Sequence, residues 1–477
     1  SVQCRNIKID SDGWKTYLLS TLGRGGNGLY MMDVTDHDSP AFKWYTEVAA
    51  ADKSGKKNII TMTWEQNEQD VISKDMTTEQ KKFLKLGFNS PRPEMGIAPL
   101  HGGDGVHKNF IALPGGMQNP VDLGHNGKDG AVFFMLDPKD GKAIRVFDGS
   151  DLTNPDLRAG GGVEGPAPYM GMMVSEPTLV RSEKNSYMTG QILAPDNRGN
   201  IFRIRLEDKF GEPMDNPEDW EIETVATLQR EAAMNTSSAS YSVYGGLAAG
   251  IYEGNEMWAA GGTADISAPS GSGGGTIRNE RQMIFSFSLD KKTGTTQVRD
   301  RDWVELKDSG DSDKDMKGWY IKLDPGDDQN AIPEYATVRP VLANGILYFG
   351  TFLGKKMDIY DPDLCVTGTE TGDSRIYAID MRTGGASRWS HAAKYRTLNG
   401  VKITGFTVSK IGRRKNLLVR YSKTRDKNKA FGDSDILNES NVNLPGEDTL
   451  NILLDYSNSN ADKIPPGEAV IMYGLSK

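Results

Sequence analysis

The sequence predicts an all-β fold, a β-propeller of six to seven decorated blades, and three observations carry that reading. One pattern recurs five times: alternating apolar residues ending in Asp or a polar equivalent, a turn, then an aromatic residue. Period-two alternation is the signature of half-buried strands, and repetition of one such unit is the signature of a propeller or solenoid. Glycine supplies 54 of 477 residues and is spread along the chain with Asn and Asp, as many tight turns require. The length exceeds the roughly 250–300 residues at which one hydrophobic core stops growing, unless the fold is a closed repeat array.

The five copies run in order along the chain. They are Leu29–Asp33 with Trp44, Val132–Asp137 with Phe147, Ile201–Leu206 with Trp220, Ile284–Asp290 with Trp303, and Ile376–Asp380 with Trp389. The turns that follow them, such as Lys139-Asp140-Gly141-Lys142 and Arg382-Thr383-Gly384-Gly385, have hairpin chemistry: Asp starts the turn and Gly supplies positive φ. Each copy therefore reads as an antiparallel hairpin whose aromatic residue packs between neighbouring blades. Upstream of most copies lies a further β pair, seen in Trp14–Leu19, Asn109–Leu113, Glu176–Val180 and Pro340–Gly350. That makes about four strands per repeat. From Asp33 to Asp137 the spacing is 104 residues (137 − 33) and from Asp290 to Asp380 it is 90 (380 − 290), about twice the ~45 of a plain WD blade, so insertions must decorate the blades. Residues 1–400 read as the main body with a long insertion at about 53–100, in which a short helix is expected between Glu65 and Leu86. Gly261–Glu280 reads as a flexible loop. Residues 401–477 supply closing strands, Leu417–Tyr421 and Glu468–Tyr473, plus a tail.

Composition narrows the function. A net charge of −9 argues against nucleic acid as a partner, because that function needs a basic surface. Hydropathy shows no run of the ~20 apolar residues a spanning helix requires. The first residues carry neither an initiator Met nor a signal-peptide layout, so a processed or partial chain is expected. Gly23-Arg24-Gly25-Gly26-Asn27-Gly28 fits the spacing of a dinucleotide site, but a strand rather than a helix follows it, and a loop between blade strands explains every glycine. His101, His107 and His125 share one Gly-rich stretch with Asp104 but form no helical i, i+4 pair. No nucleophile elbow, Walker sequence or zinc-protease motif occurs. Asp311, Asp313 and Asp315 give the one-three-five start of a calcium loop, which then fails at Met316 and Lys322. Cys4 and Cys365 are too few for a disulfide scaffold or a zinc site, and one long-range disulfide between them is an open alternative. Charge is uneven: between Lys402 and Lys429 ten Lys or Arg stand against Asp426 alone. Arg413, Arg414 and Lys415 follow Gly412 in a tight turn there, a candidate docking edge for an acidic neighbour.

At the blade segments the pattern becomes specific. Trp14–Leu19 leads through Gly23, Gly25, Gly28, Tyr30 and Asp33-Val34-Thr35-Asp36 to Trp44. Asn197–Ile204, Lys317–Tyr320, Arg339-Pro340-Val341, Tyr348–Phe352 and Asp361-Pro362 with Cys365 follow in order. Over about residues 10–395 the chain resembles the C-terminal propeller of PilY-type type IV pilus biogenesis factors and tip adhesins. The resemblance implies a modified quinoprotein-like propeller, exported to the pilus tip or cell surface. It also implies an upstream von Willebrand A-like region and minor pilins of the tip complex as partners. The family's short calcium loop corresponds here to Arg181–Thr189, which carries one carboxylate and two cations, so calcium is not carried over as a cofactor. The expected function is a non-catalytic surface protein for pilus assembly and adhesion, with the surface ligand undefined. The alternatives are a quinone-dependent dehydrogenase, which would need a calcium-binding acidic set that the sequence lacks, and an unrelated carbohydrate-binding propeller.

Overall fold

In the computed structural model the described residues are 2–7, 9, 13–22, 26–50, 57–63, 68–72, 76–87, 92–101, 107–117, 130–153, 170–182, 184, 187–228, 242–251, 256–264, 281–289, 297–298, 303–306, 316–326, 332–343, 345–356, 371–386, 394–411, 414–423 and 447–453. Strand is their main structure, with turns and loops between and one short α-helix. Among them, six sheets follow one another along the chain. The first is a meander of β1 (Val2–Ile7), β2 (Lys15–Thr21), β3 (Gly28–Asp33), β4 (Ala41–Ala50), β5 (Lys57–Thr63) and β6 (Glu68–Ile72). After helix α1 (Thr78–Phe83) comes the second, with β7 (Glu94–His101), β8 (His107–Pro114), β9 (Val132–Leu136) and β10 (Ala143–Asp148) in the order β10-β9-β8-β7. The third holds β11 (Thr178–Arg181), β12 (Thr189–Pro195), β13 (Asn200–Arg205) and β14 (Glu221–Thr227), with β18 (Gln297–Val298) added parallel to β14.

The fourth sheet runs β15 (Val243–Ile251), β16 (Met257–Thr263), β17 (Met283–Ser288), β20 (Gly318–Lys322) and β19 (Trp303–Glu305). In the fifth, β21 (Ile332–Ala336) and β22 (Val341–Ala343) both pair with β23 (Ile346–Lys356), which is followed by β24 (Thr371–Asp380) and β25 (Tyr395–Leu398). The sixth is β26 (Val401–Ile411), β27 (Arg414–Lys423) and β28 (Glu447–Leu453). The chain divides into two compact units, residues 1–247 with 292–301, and residues 248–291 with 302–477.

The all-β expectation holds, and the five repeat strands fall where the pattern puts them. They are β3, β9, β13, β17 and β24, each an interior strand of a different sheet. Of the described residues in the expected insertion at about 53–100, β5 and β6 extend the first sheet and β7 belongs to the second. The expected helix is α1. Its Thr77 hydroxyl accepts from the Gln80 N–H at 3.2 Å while the Gln80 side chain accepts from the Thr77 N–H at 2.9 Å, so both ends of a capping box are made. Phe83 then meets Phe134 at 5.0 Å between ring centroids, and Lys82 reaches Asp151 at 2.7 Å, fixing the helix to the second sheet. Gly23–Gly28 joins two strands, β2 and β3, which removes the helix a dinucleotide site would need. The closing role expected of Leu417–Tyr421 meets a different geometry. These residues lie in β27, whose two edges are taken by β26 and β28, so no edge of that strand is left for N-terminal material. Residues 468–473 and most of Gly261–Glu280 lie outside the described residues.

Sheets that bury both faces explain the unbroken apolar runs. On β8 and β9, Ile111, Leu113, Val132, Phe134 and Leu136 pack with Leu19, Leu29, Met31 and Trp44 of the first sheet. Their alternating neighbours Phe110, Ala112, Phe133 and Met135 pack with Ile192, Phe202, Ile204 and Ile222 of the third. The fifth sheet repeats the arrangement. Leu347, Phe349, Tyr377 and Ile379 face Trp258, Ile284 and Trp319 of the fourth sheet, and Tyr348, Ile376 and Ala378 face Ile403, Leu417 and Val419 of the sixth. Face-to-face sheets of this kind are the packing unit of propeller blades.

Two tryptophans set the contact between neighbouring sheets. The Trp44 indole N–H donates to the Pro138 carbonyl at 2.8 Å, just after β9, and a Cβ on Gly141 would come 2.7 Å from its ring. Likewise the Trp319 N–H donates to the Met381 carbonyl at 2.9 Å, just after β24, and Gly384 sits under its ring. Gly141 and Gly384 have φ of +72° and +65°, a conformation that also favours glycine. The sequence pattern named Trp303 for this role in the fourth sheet. The structure gives it to Trp319 because Trp303 lies on its own sheet, stacked at 5.1 Å on Phe287 and 5.6 Å on Phe285. Trp44, Phe147, Trp220 and Trp303 are all buried, and Trp389 lies outside the described residues. Truncating Trp44 or Trp319 to Ala is expected to cost about 3–5 kcal/mol in denaturant unfolding, the range for large core aromatics. A loss below about 1 kcal/mol at either position would be inconsistent with the docking role.

Candidate functional site

The third sheet displays the most unusual surface. At one of its ends lie the β11–β12 loop, Ser182–Met188, and the β13–β14 loop, Leu206–Trp220. They are held side by side, since Lys184 forms an ion pair with Glu212 and its side chain lies over Gly211. The second loop is built rigidly at its tip. The Asp208 carboxylate accepts the N–H of Phe210 at 2.8 Å and of Glu212 at 2.9 Å, and the Asp208 N–H donates to the Glu212 carbonyl at 2.8 Å. The Met214 N–H returns to Leu206 at 3.0 Å, and Glu207 bridges to Pro213. Backbone bonds to the Asp208 side chain hold its carboxyl below the ordinary carboxylate value. From these loops Tyr187 and Phe210 project with 85% and 68% of their surface in solvent, and the Lys209 ammonium stands 5.0 Å over the Phe210 ring. The sequence held a signal for this surface: Phe210 sits inside Asp208-Lys209-Phe210-Gly211-Glu212, a turn composition with no place for a large ring on packing grounds.

Buried carboxyls are where catalytic chemistry would be sought, and the two fully buried ones among the described residues, Asp196 and Glu334, are taken up by the protein itself. Asp196, in the β12–β13 turn at the other end of the third sheet, accepts the N–H of Gly171, Arg198 and Asn200 at 2.8 Å and the Asn200 amide at 2.9 Å. Burial pushes its carboxyl up to about 6, while these four donors pull the other way. Glu334 on β21 accepts from Arg375 at 2.7 Å, Tyr377 at 3.1 Å, the Asp324 N–H at 3.1 Å and the Thr351 hydroxyl. Arg375 also holds Asp324 at 3.0 Å and lies 4.6 Å over the Tyr395 ring. Burial opposes its charge, and Glu334 overrides that and keeps the guanidinium firmly protonated. These are cross-strand locks of the fifth sheet.

The site residues read from the sequence fall as follows. Asp311, Asp313, Asp315, Arg413 and Cys365 lie outside the described residues. Cys4 stands exposed on β1. Arg414 and Lys415 open β27, paired with Ile411 and Lys410 of β26. In the stretch that corresponds to the family's calcium loop, Lys184 directs its ammonium at Glu212. Among the described residues one group of metal-capable side chains comes together, Asp36, His37 and Asp38 in the β3–β4 turn. All three are exposed, and their contacts are those of a solvated turn.

The fold matches the crystal structure of the Pseudomonas aeruginosa PilY1 C-terminal domain with a TM-score of 0.54 and 15% sequence identity, over 88% of this chain and 81% of that one. The quinohemoprotein alcohol dehydrogenase of Comamonas testosteroni matches with a TM-score of 0.27 and 13% identity, over 69% of this chain and 43% of that one. The second likeness carries no argument. No family model matches the sequence. No curated protein matches it either.

Two outcomes follow from the electrostatics. Because Asp196 titrates near 6 in the folded chain and near its ordinary 3.8 when unfolded, the native state binds the extra proton between about pH 4 and 6. Its contribution to stability therefore grows as pH falls through that window, by up to about 3 kcal/mol. The melting point of the wild type, measured against Asp196→Asn, should rise on going from pH 7 to pH 4.5; a difference independent of pH would contradict the assignment. Chelation should act in the opposite manner to a calcium-held loop. Adding EDTA or millimolar calcium should leave the melting point of the chain unchanged, and a shift of several degrees with calcium would show that oxygen ligands prevail over Lys184.

Proposed function

We propose that this chain acts as a non-catalytic, exported surface protein of the type IV pilus, contributing to assembly and adhesion through loops that decorate a propeller. The observation that carries the proposal is the fold likeness to the PilY1 C-terminal domain, which spans most of both chains. Minor pilins of the tip complex and a von Willebrand A-like region upstream are the proposed partners, and the pilus tip or outer cell surface is the proposed location. The geometry favours binding over chemistry, because Asp196 and Glu334 spend their acceptor capacity on structural donors.

The β26–β27 hairpin is the proposed docking edge for an acidic partner. Lys410, Arg413, Arg414 and Lys415 fall within six residues of sequence, and like charges that close gain nothing for folding, since salt screens them beyond about 8–10 Å. Changing Arg413, Arg414 and Lys415 together to Ser should weaken pulldown of minor pilins, more at low salt than at high salt, as for steered association. Equal recovery at both salts would leave the cluster as a solvated turn. The pilus reading itself is tested by deleting the gene for the chain and counting surface pili. Unchanged piliation and unchanged surface attachment together would overturn it. Dye-linked dehydrogenase activity after reconstitution with pyrroloquinoline quinone and calcium would replace it with the enzyme reading.

A further inference from the structure

Between β25 and β26 the chain leaves the fifth sheet and enters the sixth through one dipeptide, Asn399-Gly400. An asparagine followed by glycine can close a ring on itself, because a backbone nitrogen held next to a carboxamide attacks it intramolecularly and glycine has no Cβ to obstruct the approach. Gly400 has a φ of +68°, and a Cβ placed on it would meet nothing within 4 Å. Asn399 is exposed, and its carboxamide has no hydrogen-bond partner among the described residues. The same dipeptide at Asn27-Gly28 is held quite differently. Gly28 opens β3, lies buried and pairs with Glu47, and a Cβ on it would come 2.8 Å from the Thr46 carbonyl oxygen. The Asn27 carbonyl is also engaged, by the Val48 N–H at 2.9 Å.

A carboxylate attends the open junction. The Gly400 N–H donates to Asp373 of β24 at 2.9 Å, and the Ile403 N–H donates to the hydroxyl of Ser374, the next residue of β24, at 3.0 Å. Two successive residues of the fifth sheet thus hold the entry to the sixth, where Ile403 packs with Tyr348 and Ile376. The Gly400 nitrogen can attack only after losing its proton, and a negative charge fixed beside it opposes that loss. We propose that Asn399-Gly400 is a site of spontaneous deamidation and that Asp373 is the residue that restrains it. In the step, the Gly400 nitrogen yields its proton to a solvent base and its electron pair forms a bond to Asn399 Cγ. The Cγ–Nδ2 bond breaks, Nδ2 takes a proton from water and leaves as ammonia, and a cyclic succinimide remains. Water then opens the ring at one carbonyl or the other, giving aspartate, or isoaspartate with one more methylene in the main chain. Both products set a new carboxylate near Asp373, and like charges that close weaken its hold on the junction.

The test is peptide mapping by mass spectrometry of the full chain aged at mildly alkaline pH, with isoaspartate counted by enzymatic methyl transfer. A synthetic peptide spanning Tyr395–Ile403 serves as the unrestrained reference. The wild type should exchange carboxamide for carboxylic acid at Asn399, more slowly than the peptide does, while Asn27 stays intact. Asp373→Ala should speed the change at Asn399 about tenfold, the effect of removing one charge-assisted hydrogen bond from the starting state. Asp373→Asn keeps an acceptor without the charge and should fall between the two. Asn399→Gln should leave the junction unmodified over the same period. An intact Asn399 in every sample, equal rates in wild type and Asp373→Ala, or a wild type as fast as the peptide would overturn the inference. So would an Asp373→Ala chain in which Asn27 accelerates as much as Asn399, because general loosening would then account for both.

Discussion

The packing of one tryptophan over one glycine in the neighbouring sheet is the contact on which the rest of the architecture depends. Trp44 and Trp319 use the same geometry in different units of the chain. Each indole N–H takes the carbonyl directly after a repeat strand, and a glycine further along the turn makes room for the ring. The contact fixes where one sheet lies on the next. Once that is set, a strand such as β9 can have both its faces dry, and its sequence must be apolar at every position. It also explains the turn composition. A residue with a Cβ at Gly141 or Gly384 would meet the indole ring and would have to adopt a positive φ as well.

That logic decides what could be read from the sequence. The interior strands were legible because apolar runs ending in Asp and a Gly turn are local signals, and β3, β9, β13, β17 and β24 sit where those signals fall. Helix α1 was legible from its charged composition and confirmed by its capping box. The choice of docking residue in the fourth sheet was not. Trp303 and Trp319 both follow the repeat strand, and their roles are separated by tertiary packing, with Trp303 drawn onto Phe285 and Phe287. The membership of β5 and β6 in the first sheet was not legible for a related reason. Their strands are polar on one face because they lie at the outer edge of the first sheet, and an alternating charged segment of that kind reads equally as an insertion.

The candidate surface was hidden for a different reason. Tyr187 and Phe210 are about 20 residues apart, within the reach of one hairpin unit, and nothing local to either predicts that the other is near. The register of β12 against β13 brings their loops to the same end of the sheet, and the Lys184–Glu212 pair holds them there. The same pair alters the chemistry of the place where the resemblance put a calcium loop. There Lys184 pairs with Glu212 of the neighbouring loop.

The central claim is that this stack is the scaffold and the loops are the contact surface toward the pilus. Hydrogen exchange of the full chain, measured by mass spectrometry with and without purified type IV pili, addresses that division directly. The account predicts that pili add protection in loop segments, the β11–β12, β13–β14 and β26–β27 connections foremost, while β9, β13 and β24 exchange slowly and equally in both states. Protection gained across the interior strands, or no change anywhere in the chain, would contradict it.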